Sequence, residues 1–218
     1  MNAPAAITIA TATALAVAWA VPAQGVVIST RLYQGIAIDV VGTFEPGDSD
    51  RFMATVEATP RATMVVFNSR GGQVNEGEAI GAVIENHHLA TGVAAGGQCS
   101  SACVLAWAAG ARKSIGPDAA IGVHNAYAET NEDDVARRLD GIGATSQTGK
   151  WLRRFGAPDN VVNKLLDTPP ERMYWLSAKD LAAWQVTGVP HAPDAVLAPP
   201  LPATKLLNKL GISAAESD

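Results

Sequence analysis

The chain has 218 residues, of which 48% are hydrophobic, and it carries a formal net charge of −5. This apolar content excludes an intrinsically disordered protein, and the length allows one domain with a substantial core. The acidic balance excludes the basic surface that binds nucleic acid, so we expect no nucleic acid partner.

The N-terminal segment, residues 1–23, contains no Asp, Glu, Lys or Arg and holds an apolar run at residues 7–21. Small residues at its end fit cleavage of a signal peptide after Ala23. An uncleaved membrane anchor is the alternative, since a span needs about 20 apolar residues, and a buried core helix is a third interpretation. We predict a signal peptide or membrane anchor here. The protein is then exported, either periplasmic or attached to the membrane with its domain facing the periplasm.

Strand-like and helix-like segments alternate in the first half of the domain, which we place at residues 24–190. The nearly continuous apolar run at residues 62–68 predicts a strand that is buried on both faces. Asp48 or Ser49 is placed to cap the first helix. The predicted elements are a strand at 36–41, a helix at 51–58, a strand at 62–68, a helix at 76–88 and a strand at 89–95. The last three form a parallel βαβ crossover, which indicates the α/β class.

The second half continues the alternation with shorter elements. Three glycines within residues 131–155 predict a broken helix there. Ser177 and Asp180 have the spacing of a capping box. The predicted elements are short strands near 112–115, 121–125, 173–176 and 186–190, and helices at 131–155, 158–166 and 178–184. A Pro/Ala-rich tail follows at residues 191–218 and is expected to be loosely held.

The central stretch runs from Gly96 to Cys103 and contains two adjacent serines, Ser100 and Ser101. A strand precedes it and an Ala-rich apolar helix follows, which predicts a strand, a glycine turn and a helix. A serine in the first turn of that helix lies among backbone N–H groups without helical partners. Its role is either a helix cap or a nucleophile, and its position alone does not decide between them.

Two further positions could join that serine at the edge of the sheet. Gly71 follows the buried strand, where a glycine allows a ligand to approach backbone N–H groups, although a plain tight turn is the better explanation for a pair of glycines taken alone. His124 ends a short apolar strand, whereas His87, His88 and His191 lie in polar or Pro-rich surroundings. Because ligand sites in parallel α/β sheets form at the carboxyl ends of strands, we expect Ser101, His124 and Gly71 to be neighbours.

Cys99 and Cys103 are the only cysteines of the chain. Four residues apart, they approach the upper limit of disulfide geometry on a helix, so that a disulfide is allowed but not compelled. Export would place them in an oxidising compartment and would favour the bond. Two thiols are too few for a closed zinc site, and we expect no metal and no cofactor.

Four ordered motifs resemble the proteolytic subunit of the Clp protease family. They are Asn68-Ser69-Arg70-Gly71-Gly72, Gly97-Gln98-Cys99-Ser100-Ser101-Ala102-Cys103, Ala108-Ala109-Gly110-Ala111 and Ile121-Gly122-Val123-His124-Asn125. The family shows Asn-Ser-Pro-Gly-Gly, Gly-Gln-Ala-Ala-Ser-Met, Ala-Ala-Gly-Ala and Met-Ile-His-Gln in the same order. The resemblance covers roughly residues 36–188 and implies the ClpP/crotonase-like fold of repeated ββα units. Here Arg70 replaces the family's proline, and cysteines flank the serine.

The resemblance implies roles for individual residues. Ser101 matches the nucleophile and His124 the general base, while the backbone N–H groups of Gly71 and Ala102 match the oxyanion hole. The third catalytic residue is an Asp that the family places before a Leu-Ser-Ala segment. Asp167 matches it best, and Glu171 is the alternative because Pro169-Pro170 lengthens this segment.

These roles predict an exported, ATP-independent serine peptidase that cleaves peptide or protein substrates. The resemblance also implies a homo-oligomer. One alternative is a Ser–Lys dyad on the same fold with Lys113 or Lys150 as the base. A crotonase-like acyl-CoA enzyme is a second alternative, and a binding or assembly protein without catalysis is a third.

Overall fold

The computed structural model describes residues 25–32, 35–126 and 134–188, except for the side chains of residues 134–140. The predicted leader or anchor at 1–23 and the tail at 191–218 lie outside these residues. No helix within them combines the length and the apolar character that crossing a membrane requires.

Strands and helices alternate through the described part of the chain, which confirms the α/β class. In chain order they are β1 (Val27–Leu32), β2 (Ile36–Phe44), α1 (Asp48–Ala58), β3 (Ala62–Gly72), α2 (Val74–Asn86), β4 (Ala90–Val93), β5 (Gln98–Ser100), α3 (Ala102–Ala108), β6 (Lys113–Ile115), β7 (Ala120–Val123), α4 (Asp134–Arg154), α5 (Asp159–Asp167), β8 (Tyr174–Trp175) and α6 (Ala178–Ala183).

The strands form one mixed sheet in the order β1-β2-β3-β5-β7-β8, with β4 lying between β3 and β6. Pairing is antiparallel for β1 with β2 and for β7 with β8, and parallel elsewhere. The predicted crossover is therefore confirmed, because β3 and β4 are parallel and α2 connects them. Residues 65–69 in β3 are all buried, as the continuous apolar run predicts for most of this stretch.

The long strand β3 changes its neighbour along its length. Residues 64–67 pair with β4, and Ser69 then pairs with Cys99 of β5. The carboxyl end of β3 is thereby placed beside the turn that contains Ser101. The same end holds Gly71 and Gly72, so the change of partner from β4 to β5 brings both glycines to the edge of the sheet that carries Ser101.

The helix α3 lies in the centre of the core. All seven of its residues are buried, which its sequence Ala-Cys-Val-Leu-Ala-Trp-Ala permits because none carries a charge. Trp107 packs edge-to-face on Trp184 with 5.2 Å between ring centroids. Their indole N–H groups donate to backbone carbonyls of Ser114 and Phe155, as buried tryptophans require.

Two predictions at the ends of the domain are wrong. We predicted no strand before residue 36, but residues 27–32 form β1, which the antiparallel ladder with β2 holds in place. The strand predicted from residue 186 is only an isolated bridge between Thr187 and Ser114. Both differences arise because pairing with another strand, rather than local composition, decides whether a short stretch becomes a strand.

Two helix predictions also need correction. The helix α4 is continuous rather than broken, because packing against α3 and α5 offsets the low helix propensity of its glycines. Trp151 Nε1, for example, donates a hydrogen bond to Leu105 O at 3.0 Å. Neither Asp48 nor Ser49 caps α1, whose N-cap is Gly47. By contrast, the capping box of Ser177 and Asp180 is confirmed.

The acceptor at the start of α1 comes from another helix. Glu76 of α2 accepts hydrogen bonds from the backbone N–H groups of Gly47 and Ser49 at 3.0 and 2.8 Å. Asp48 instead accepts from Val26 N at 3.0 Å and thereby ties the first strand to α1.

Candidate active site

Ser101 occupies the turn between β5 and α3 in a backbone conformation that L-residues rarely adopt. Its φ is 56° and its ψ is −130°. The turn is held on both sides, since Ser101 N donates to Gly122 O at 3.0 Å and Ser101 O accepts from Val104 N at 2.9 Å. Although Ser101 lies at the N-cap position, its side chain makes no capping hydrogen bond. The hydroxyl is therefore available for other chemistry.

Exposure separates the two candidate serines. Ser100 is 3% exposed, whereas Ser101 is half-buried and borders a cavity. Of the two serines, only Ser101 is therefore accessible from this cavity.

Gly71 lies directly against this turn. Its φ is +90°, and a β-carbon at this position would lie 2.7 Å from Ala102 N and 2.8 Å from Ser101 Cβ. Only glycine allows the end of β3 to approach the turn so closely. The two backbone positions expected to form an oxyanion hole are thus brought together.

The two N–H groups at these positions differ in their availability. The N–H of Ala102 belongs to the first turn of α3, where no helical acceptor exists. The N–H of Gly71 already donates to Ser69 Oγ at 3.1 Å within a buried part of the chain. Gly71 can therefore bind an oxyanion only after this hydrogen bond is exchanged.

His124 follows the carboxyl end of β7, the parallel neighbour of β5. The register pairs Cys99 with Ile121 and Ser100 with Gly122, so Ser101 and His124 both leave the sheet at the same edge. Both residues line one cavity of about 20 Å³, together with apolar side chains from α2, α3, α4 and α5. This volume is sufficient for roughly one water molecule.

Hydrogen bonds to two helical segments hold the backbone after His124. Asn125 N donates to Thr168 O at 2.9 Å, just beyond α5, and Ala126 N donates to Thr145 Oγ1 of α4 at 3.0 Å. Thr145 was not among the predicted site residues. Its only signal is that Thr145, Thr148 and Leu152 recur on one face of an otherwise polar helix.

Burial lowers the pKa of His124, while the Pro170 carbonyl and the Glu171 carboxylate oppose the shift. The ring is therefore neutral at pH 7, as a general base requires. Its Nδ1 atom is buried and has no hydrogen-bond partner among the residues that the structure describes.

Among the residues that the structure describes, no hydrogen bond or ion pair joins Asp167 to the imidazole of His124. Asp167 is the exposed last residue of α5, and within the described residues its carboxylate makes no hydrogen bond or ion pair. Glu171 is also exposed, but its charge does act on the His124 ring. The identity of the third catalytic residue stays a prediction, with these two acids as its candidates.

Cys99 and Cys103 are joined by a disulfide, and their Cα atoms lie 5.3 Å apart. Both cysteines are completely buried. One belongs to β5 and the other to the first turn of α3, so the bond brackets Ser101 in both sequence and space.

Neither candidate base of a Ser–Lys dyad lines the cavity of Ser101. Lys113 lies on β6, where its Nζ points to Gly110 O at 3.5 Å and burial lowers its pKa. Lys150 is exposed on α4. The described geometry therefore gives no support to a lysine base.

Comparisons with known proteins identify a family and a similar fold. The family described as Clp protease matches residues 25–182. Among solved structures, a ClpP1 mutant from Listeria monocytogenes is similar with a TM-score of 0.53 and 17% sequence identity, over 68% of this chain and 86% of that chain. At this identity the likeness shows the fold alone, and it confirms the ClpP-like architecture. No curated protein sequence matches this chain.

Proposed function

Because the chain belongs to the Clp protease family, we propose that it is a serine peptidase of the ClpP-like type with Ser101 as nucleophile and His124 as general base. One observation carries this assignment. The strained turn at Ser101 and the half-buried His124 follow neighbouring parallel strands and line one cavity. Serine and histidine in such an arrangement form the core of an acyl-transfer site.

The reaction starts with a peptide carbonyl bound beside Ser101. Neutral His124 accepts the hydroxyl proton as Ser101 Oγ bonds to the carbonyl carbon, and negative charge passes to the carbonyl oxygen. The N–H of Ala102 stabilises this oxyanion. The N–H of Gly71 joins it by exchanging Ser69 Oγ for the substrate oxygen. Each such donor lowers the barrier by about 3 kcal/mol.

The intermediate collapses when the imidazolium of His124 gives its proton to the leaving amine. Water then enters, loses a proton to His124 and releases the acyl group from Ser101. A carboxylate behind the ring would fix its tautomer. We retain Asp167 for this role and Glu171 as its alternative. Replacing each acid singly by its amide tests the choice, since the true partner should lower kcat far more than the other does.

Labelling by a fluorophosphonate tests the nucleophile. Ser101 Oγ attacks phosphorus, fluoride leaves and His124 takes the proton, so the label reports the same machinery. The wild type and Ser100→Ala should become labelled, and Ser101→Ala should not. Absence of labelling in the wild type, under conditions in which a related serine hydrolase reacts, would overturn the proposal.

We further propose that the peptidase is exported and works without an ATP-driven partner. The charge-free apolar segment at residues 1–23 and the disulfide between the only two cysteines support an oxidising location. A homo-oligomer is proposed from the family resemblance alone. Fractionation of cells and light scattering of the purified protein test these two points separately.

A further inference from the structure

The disulfide between Cys99 and Cys103 spans the residue that carries the proposed nucleophile. Cys99 pairs with Ser69 on one side and with Ile121 on the other, so it is fixed in the sheet. Cys103 belongs to α3, a helix that is buried throughout. The bond thus connects the sheet with the helix across a turn of three residues, 100–102.

Ser101 adopts its positive φ within this turn. A non-glycine residue in such a conformation persists only when its surroundings enforce it. Two backbone hydrogen bonds, to Gly122 O and from Val104 N, constrain the residue. The disulfide adds a covalent constraint that closes over the same three residues.

We propose that Cys99 and Cys103 are positioning residues, whose disulfide holds Ser101 Oγ and Ala102 N–H in the reactive arrangement. This inference rests on the proposed function of Ser101. Its consequence is that reduction deactivates the site without unfolding the domain. A dithiol reagent supplies two electrons and two protons; the two sulfur atoms become thiols, and the reagent closes to its own disulfide.

Reduction should affect the reacting atoms more than substrate binding. The cavity that Ser101 and His124 share is lined by neither cysteine. Relaxation of the turn displaces Ser101 Oγ and the N–H of Ala102 relative to His124. Because small displacements of reacting groups cost up to about 100-fold in rate, we expect labelling of Ser101 to slow by about 10- to 100-fold, with the KM for peptides nearly unchanged.

The experiment compares the oxidised wild type, the wild type reduced by a dithiol, and the double variant Cys99→Ala/Cys103→Ala. Each is assayed for the rate of fluorophosphonate labelling, for kcat and KM, and for folding by circular dichroism. The double variant is a matched control, because the chain has no other cysteine on which the reagent could act. Both sulfur atoms are buried, so reduction is verified by counting thiols after denaturation.

The inference predicts slow labelling in the reduced wild type, recovery on reoxidation, and equally slow labelling in the double variant with or without the reagent. Equal labelling rates in the oxidised and reduced proteins would overturn the inference and leave the proposed function intact. Loss of the folded circular dichroism spectrum on reduction would also overturn it, since the bond would then support the whole domain. No labelling of the oxidised wild type would overturn both.

Discussion

Replacement of Gly71 by alanine tests the close contact between β3 and the turn of Ser101. An alanine β-carbon would lie 2.7 Å from Ala102 N and 2.8 Å from Ser101 Cβ. Ordinary contacts between nonbonded atoms are about 3.5–4.0 Å long. These neighbours belong to the backbone and to the start of a side chain, so they cannot rotate away. The end of β3 must therefore separate from the turn.

Gly47→Ala is a matched control for this substitution. Gly47 has a φ of +91°, almost identical to the +90° of Gly71, but nothing lies within 4 Å of the position that a β-carbon would take there. The positive φ costs about 1–2 kcal/mol at either site. Overpacking adds about 1–3 kcal/mol at Gly71 alone. We expect the free energy of unfolding to fall further in Gly71→Ala than in Gly47→Ala by this additional amount.

Urea unfolding measures the two free energies, and fluorophosphonate labelling reports the nucleophile. Gly71→Ala should lose most of its labelling while still folded, because the N–H of Ala102 and the side chain of Ser101 are displaced. Gly47→Ala should label at the rate of the wild type, since Gly47 lies at the start of α1. Equal destabilisation of the two variants together with normal labelling of Gly71→Ala would refute the proposed contact.

Three other predictions follow from buried polar groups. Thr148→Val should raise the free energy of unfolding by about 1 kcal/mol, because it removes a buried hydroxyl that has no partner in the described structure. Thr145→Val should lower the free energy of unfolding by about as much, because it removes a hydroxyl that accepts a hydrogen bond from a backbone N–H. Urea titration measures both changes. The labelling rate should fall only below about pH 6.5, since burial lowers the pKa of His124 and the neutral ring persists until the pH reaches that lowered value. A midpoint of the labelling rate above this pH would contradict the assignment of His124 as the general base. Burial opposes ionisation of Asp180, but its hydrogen-bond donors outweigh burial and lower its pKa. Its carboxylate therefore stabilises the fold above about pH 4, and this contribution is lost as the pH falls towards the lowered pKa. Asp180→Asn should therefore weaken the fall in the free energy of unfolding at acid pH, and an unchanged fall would contradict the stabilising role of Asp180.

Local patterns predicted much of the fold and the candidate site. The continuous apolar run of β3 indicated burial on both faces, and the spacing of Ser177 and Asp180 indicated a helix start. The helix after Ser101 was also visible in the sequence, whereas β5, which lies within the predicted glycine turn, was not. These features are local, because periodicity, capping and glycine content act within a few residues along the chain.

Contacts between distant segments were beyond the reach of such patterns. Glu76, for example, accepts hydrogen bonds from the start of α1, 27 to 29 residues away along the chain. The surroundings of His124 depend on how α4, α5 and the loop after α5 pack, and from that loop the Glu171 carboxylate opposes the lowering of the His124 pKa.

Sequence alone therefore identifies candidate residues for serine hydrolase chemistry and the approximate bounds of the helices and the longer strands. Which of those residues meet depends on the tertiary structure. Ser101, His124 and Gly71 lie at one edge because β3 changes its neighbour from β4 to β5 there. The same packing draws the two cysteines together across Ser101. Contacts between different strands and helices depend on the packing of whole elements, which no short stretch of sequence encodes.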